Sequence, residues 1–115
     1  MKHIYESIIG RKGTQFSPKY NIQIGDILVQ RNGYYWYLQD DMMLIHPNKG
    51  EEDMTVYIDD FLAEYDNMLK SIGQCALPDY DIVVIYRSGN TIHNPNYKKI
   101  NDFINHNNPI WSSRK

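Results

Sequence analysis

Asp26-Ile27-Leu28-Val29-Gln30-Arg31 and Tyr34-Tyr35-Trp36-Tyr37-Leu38-Gln39 are two runs of β-favouring residues joined by Asn32-Gly33. Branched aliphatic and aromatic side chains suit a pleated, half-buried surface. The Asn-Gly pair suits a type I′ turn, whose twist matches that of the flanking strands. An antiparallel hairpin is therefore expected here. Side chains alternate along a strand, so Tyr34, Trp36 and Leu38 share one face and Tyr35, Tyr37 and Gln39 the other. Both faces are aromatic. One must pack a core, and the other must be covered by a helix or a partner chain, or be left as a binding surface.

Asp40-Asp41 leads from the hairpin into Met42-Met43-Leu44-Ile45-His46, a third strand that stops before Pro47 and Gly50. A three-stranded meander results. Further on, Ile58, Phe61, Leu62, Tyr65, Met68, Leu69 and Ile72 recur at spacings of three and four, behind Asp59 and Asp60 and ahead of Gly73. This pattern predicts an amphipathic helix; Thr55-Val56-Tyr57-Ile58 is β-like, and the alternative for the Asp-rich stretch is an irregular loop.

Asp81-Ile82-Val83-Val84-Ile85-Tyr86-Arg87 is nearly all apolar and β-branched, as expected of a strand in the middle of the sheet covered on both faces. Asn94-Pro95 supplies a cap and first-turn proline for a short helix through Tyr97, Ile100, Phe103 and Ile104. The expected fold is α+β: a small, mainly antiparallel sheet with one or two short helices, forming a single domain over residues 1–115. The segment up to about Tyr20 is expected to be an edge strand or a docking arm.

The 115 residues suffice for one hydrophobic core, and 42% hydrophobic with 23% charged residues is the balance of a folded chain rather than a disordered one. A net charge of -2 argues against generic binding to duplex nucleic acid, which draws its affinity from a basic face. Cys75 is the single cysteine, so no internal disulfide can form and a reducing, cytoplasmic setting is expected. Neither a signal-peptide core nor an apolar run long enough for a membrane span is evident.

His3, His46, His93 and His106 are scattered and do not read as a metal site. The acids from Glu51 to Asp60 lack the ligand alternation of a calcium loop. Cys75 lies in no recognised nucleophile context, and no catalytic residue, metal or cofactor is assigned. Two patterns suggest binding. Arg11 and Lys12, between Gly10 and Gly13, can offer charge and backbone N–H groups to an anion. Arg31 with Tyr34, Tyr35, Trp36 and Tyr37 can offer a guanidinium and stacking rings to a nucleobase or nucleotide, although core or interface packing accounts for the same rings.

Gly25-Asp26-Ile27-Leu28-Val29, the Asn32-Gly33 hairpin with its aromatic strand, Tyr65-Asp66, Asp79-Tyr80-Asp81-Ile82-Val83-Val84-Ile85-Tyr86 and Ile110-Trp111 together resemble a loosely defined group of short proteins from phages and mobile elements of Gram-positive bacteria. The resemblance spans roughly the last four-fifths of the chain. It implies a genomic setting, and a bacterial host cytoplasm, but no mechanism.

The function expected is that of a non-enzymatic phage-type accessory protein acting by stoichiometric binding, in antagonism of a host defence. In one version a homo-oligomer sequesters a small anionic, nucleotide-type ligand between Arg11, Lys12, Arg31, Tyr35 and Trp36. In another, the acidic residues Asp40, Asp41, Glu51, Glu52, Asp53, Asp59 and Asp60 dock on a basic groove of a nucleic-acid-handling host protein. A structural or assembly role is the third class.

Overall fold

A computed structural model describes residues 17–47, 54–73 and 76–113. Six strands form one sheet: β1 (Asp26–Gln30), β2 (Tyr35–Leu38), β3 (Met43–His46), β4 (Met54–Tyr57), β5 (Ile82–Arg87) and β6 (Trp111–Ser112). Their spatial order is β4-β3-β2-β1-β5-β6, and every neighbouring pair is antiparallel. Among the described residues two α-helices, α1 (Ile58–Leu62) and α2 (Tyr97–His106), and two short 3-10 helices, Pro18–Asn21 and Pro78–Tyr80, complete the fold. The α+β class expected from the sequence is thus the class observed. No helix among the described residues is long and apolar enough to cross a membrane.

The predicted hairpin forms in the register Ile27↔Tyr37, Leu28↔Trp36 and Val29↔Tyr35, but its turn is not type I′. That turn needs positive φ at both central residues, and of the pair only Gly33 has it, at 95°. Gly33 N–H donates to Gln30 C=O and Gln30 N–H to Tyr34 C=O, each at 2.8 Å. This is a three-residue loop with glycine in the left-handed position. The cause is tertiary: Arg31 N–H donates to Asp81 C=O and Asn32 N–H to Asp79 C=O, at 2.8 and 3.0 Å.

The meander continues one strand beyond β3, because Thr55, Val56 and Tyr57 take the β-like option and pair with Ile45, Leu44 and Met43. β5 is an internal strand, between β1 and β6, but stands beside the two-residue edge strand while β2 and β1 occupy the middle. Within β5, Ile82 and Ile85 are buried and the other residues half-buried.

The expected helix from Ile58 to Ile72 is corrected: α1 ends at Leu62. Asp66 takes over the backbone there. Its Oδ1 accepts from the N–H groups of Met68 and Lys70, both at 2.9 Å, in the competition with helical bonding typical of Asp side chains. The chain then reverses, with Leu69 at φ 67° and an antiparallel bridge between Tyr65 and Ser71. Met68 and Ile72, counted as helix-face residues in the sequence, are exposed.

α2 begins at Tyr97, later than Asn94-Pro95 implied. Asn94 has φ 51° and so cannot be the extended cap residue, whereas Asn96 is extended and its side chain accepts from Lys99 N–H at 2.9 Å.

Two cores lie on opposite faces of the sheet. Leu28, Trp36, Leu38, Leu44 and Ile85 pack with Ile58, Tyr65, Leu69 and Ile82 on one face. Ile27, Tyr37 and Ile45 pack with Ile100 of α2 on the other, flanked by Tyr35, Tyr86 and Phe103. The second aromatic face of β2 is therefore covered from within the chain. Each fully buried Leu or Ile stabilises by about 1.5–3 kcal/mol.

Candidate aromatic binding cavity

A cavity of about 450 Å³ opens on the first of these faces, where β1–β4 meet α1 and the 63–73 loop. Its floor is aromatic because strand alternation puts Tyr34 and Trp36 on the same side as His46 of β3. The Trp36 and Phe61 rings lie 5.1 Å apart, as do Phe61 and Tyr65. His46 stacks against Tyr34 at 4.8 Å and tilts against Trp36 at 4.9 Å. These separations fall within the range of favourable ring pairs.

A directional chain of hydrogen bonds fixes the inner wall. Trp36 Nε1–H donates to Gln30 Oε1 at 3.3 Å, and Gln30 Nε2–H donates to the Tyr65 hydroxyl at 3.0 Å. That hydroxyl donates in turn to Tyr80 C=O at 2.8 Å. Burial pushes the Tyr65 phenol above its ordinary pKa; Gln30 offsets this in part, and the nearby carboxylates of Asp81 and Glu64 push it up further. Tyr65 is thus a neutral hydroxyl. His46 Nδ1 lies 3.1 Å from Tyr35 C=O, which can only accept, so Nδ1 carries a proton.

The mouth is acidic. Asp60 and Glu64 line it, both exposed, and Glu64 lies over Gly73, where a Cβ would overlap its Oε1. Apart from His46, no basic side chain is among the described lining residues. Such a cavity can stack a flat group, hydrogen-bond it along one edge and attract positive charge.

No protein-family model, curated protein or solved structure matches this chain. The geometry therefore carries the functional reading.

Of the residues expected to bind an anion, the described ones, Arg31, Tyr35 and Trp36, are not brought together. Arg11 and Lys12 lie outside the described residues. Arg31 turns away from the cavity: its Nε donates to Pro78 C=O at 3.2 Å and its Nη2 lies 3.6 Å from Asp81 Oδ2. Tyr35 is on the opposite face, stacked on Tyr97 at 5.8 Å with its hydroxyl 3.4 Å from Asn101 Oδ1. Burial and the Tyr97 hydroxyl both raise its pKa. Of the described candidates Trp36 lines the cavity, as does Tyr34 from the same aromatic run.

The acidic set divides likewise. Glu51, Glu52 and Asp53 lie outside the described residues. Asp40 and Asp41 occupy the β2–β3 turn, and Asp59 and Asp60 the first turn of α1. Ile58 N–H donates to Met42 C=O at 3.0 Å, which brings both pairs to one end of the sheet. Gln30, His46, Phe61, Tyr65 and Tyr80 are cavity residues that sequence reasoning missed. Strand parity could have found the first two, since each falls on the Trp36 face once the hairpin register is known. Among the described residues no cluster of His, Cys, Asp and Glu could hold a metal ion.

Proposed function

We propose that the protein acts by stoichiometric binding, holding a flat, neutral or cationic group of its ligand in the aromatic cavity. One observation carries this reading: the Trp36–Phe61–Tyr65 line of rings, backed by the Gln30 relay, opens at a mouth lined by Asp60 and Glu64. Its volume falls within the range of small-ligand pockets. The accessory role expected from the sequence is kept, and the ligand's charge is revised. A phosphate has no described Arg or Lys to meet in this cavity, whereas a nucleobase, an aryl ring or a guanidinium meets stacking faces and nearby carboxylates.

The test is the thermal midpoint, with Trp36 fluorescence recorded in a Trp111→Phe background, against nucleosides, their phosphates and guanidinium compounds. A ligand of the native state raises the midpoint. Nucleosides or guanidinium compounds should raise it and quench Trp36, with both effects lost in Tyr34→Ala and Tyr80→Ala, whose side chains are largely exposed. A response confined to phosphate-bearing ligands would reverse the charge assignment; none at all would discard the cavity as a site.

A second reading rests on the convergence of Asp40 and Asp41 with Asp59 and Asp60 at one end of the sheet. This acidic end suits a basic groove on a host protein, and complex formation there should weaken as ionic strength rises.

A further inference from the structure

β4 is the outer strand of the sheet, and among the described residues nothing pairs with its free edge. The direction of its backbone groups follows from one bond. Ile58 N–H points to Met42 C=O across the β3–β4 ladder, and successive strand residues alternate in direction. Val56 and Met54 therefore point toward β3, and the N–H and C=O groups of Thr55 and Tyr57 point outward. The side chains alternate the other way: Met54 and Val56 line the aromatic cavity. Among the described residues, the unpaired edge and the cavity are contiguous.

We infer that the occupant of the cavity is the side chain of an arginine or lysine in an extended peptide that adds a strand to β4. This rests on the binding role proposed above and specifies its ligand. A strand laid along β4 meets the outward groups of Thr55 and Tyr57, and every second side chain falls on the cavity face. Charge selects the residue. Asp59 and Asp60 follow β4 in the first turn of α1, and Asp60 and Glu64 line the mouth. A cationic head reaching in over Met54 and Val56 enters the β4 side of the cavity, where the carboxylates of Asp60 and Glu64 can meet it. An isolated edge strand is ordinarily protected by short length or by charge. β4 is short, but Met54 and Tyr57 leave it apolar and exposed.

The experiment is selection of random short peptides on the full-length protein, followed by titration of the selected peptides and of acetyl-arginine methylamide. Selected peptides should carry one Arg or Lys between β-favouring residues. N-methylation at alternate peptide bonds should weaken them about tenfold, as expected from one lost hydrogen bond at an edge. Thr55→Pro removes an outward N–H and leaves the β3 ladder in place, so it should weaken peptides to a similar degree and leave acetyl-arginine methylamide unaffected. Asp60→Asn with Glu64→Gln should weaken both probes. Peptides indifferent to N-methylation and to Thr55→Pro, or selected without a basic residue, would overturn the strand-addition proposal. If acetyl-arginine methylamide still binds in that case, the cavity reading survives alone; if neither probe binds, both fall.

Discussion

Asp26 and Arg87 are register partners across β1 and β5 and form a two-pronged ion pair, with Nε 2.8 Å from Oδ1 and Nη2 2.9 Å from Oδ2. Asp26 is fully buried, and Gln23 N–H donates to its Oδ2 at 2.9 Å. Arg87 Nη2 also donates to Asn21 C=O at 2.7 Å, tying the turn before β1 to the end of β5. Removal of the carboxylate strands a guanidinium in this site. Asp26→Ala should cost about 3–5 kcal/mol, read as a lower urea midpoint at unchanged slope. Arg87→Met added to it should restore part of the loss.

The same carboxylate gives a pH prediction. Burial raises the Asp26 pKa above 3.8, and the hydrogen bond from Arg87, the Gln23 N–H and the Arg87 charge oppose the rise without cancelling it. A folded pKa above the unfolded one means that protonation favours the fold. The contribution is complete below 3.8 and is lost as pH rises through the folded value. Wild type should therefore lose stability relative to Asp26→Asn as pH rises through that interval. An NMR midpoint for Asp26 at or below 3.8 would show that the ion pair outweighs burial.

Gly25 and Gly33 share nearly the same backbone angle, φ 93° and 95°, in different surroundings. A Cβ at Gly33 meets nothing, whereas one at Gly25 overlaps Asn90 N and lies 2.9 Å from Asn90 Cα and Ser88 Oγ. Gly33→Ala should cost about 1–2 kcal/mol, the strain of a left-handed residue alone. Gly25→Ala must also displace backbone and should cost more. Equal losses in urea melts would mean that the Asn90 turn gives way freely.

Gln30→Leu keeps the bulk of the cavity wall and removes the acceptor for Trp36 Nε1. An orphaned buried donor costs about 1–3 kcal/mol. Indole N–H exchange, followed by NMR, should accelerate along with the drop in stability. Tyr65 retains its bond to Tyr80 C=O, so its ring should hold its position.

On α2, Ile100 is the buried residue, and Lys98 makes an exposed pair with Asp102 at 3.2 Å. Ile100→Ala should cost about 2–5 kcal/mol by leaving a hole in the second core. Lys98→Ala should stay within about 0.5 kcal/mol. The contrast is checked by chemical denaturation of both variants.

The hairpin, the third strand and β5 were legible from alternation and β-branching, and the helix near residue 100 from the spacing of Tyr97, Ile100, Phe103 and Ile104, although its cap is Asn96 and not Asn94. The 63–73 loop was not, because Tyr65 and Leu69 keep helical spacing while Asp66 turns the chain between them. Both are buried in the loop, so spacing alone could not tell loop from helix. β6 is too short to carry a period. For the site, parity separates Tyr35 from Trp36, so grouping them in one pocket ignored information already present. The turn of Arg31 toward Asp81 depends on contacts distant in sequence, which no local pattern announces.

The strand order also has a consequence for biosynthesis. β1 acquires β2 at once but meets β5 only after the whole meander and the cavity wall have left the ribosome. Throughout that interval the nascent chain carries a bare, apolar strand at Ile27-Leu28-Val29, the kind of edge that recruits other chains. A pause in translation before residues 82–87 should therefore divert product into inclusion bodies.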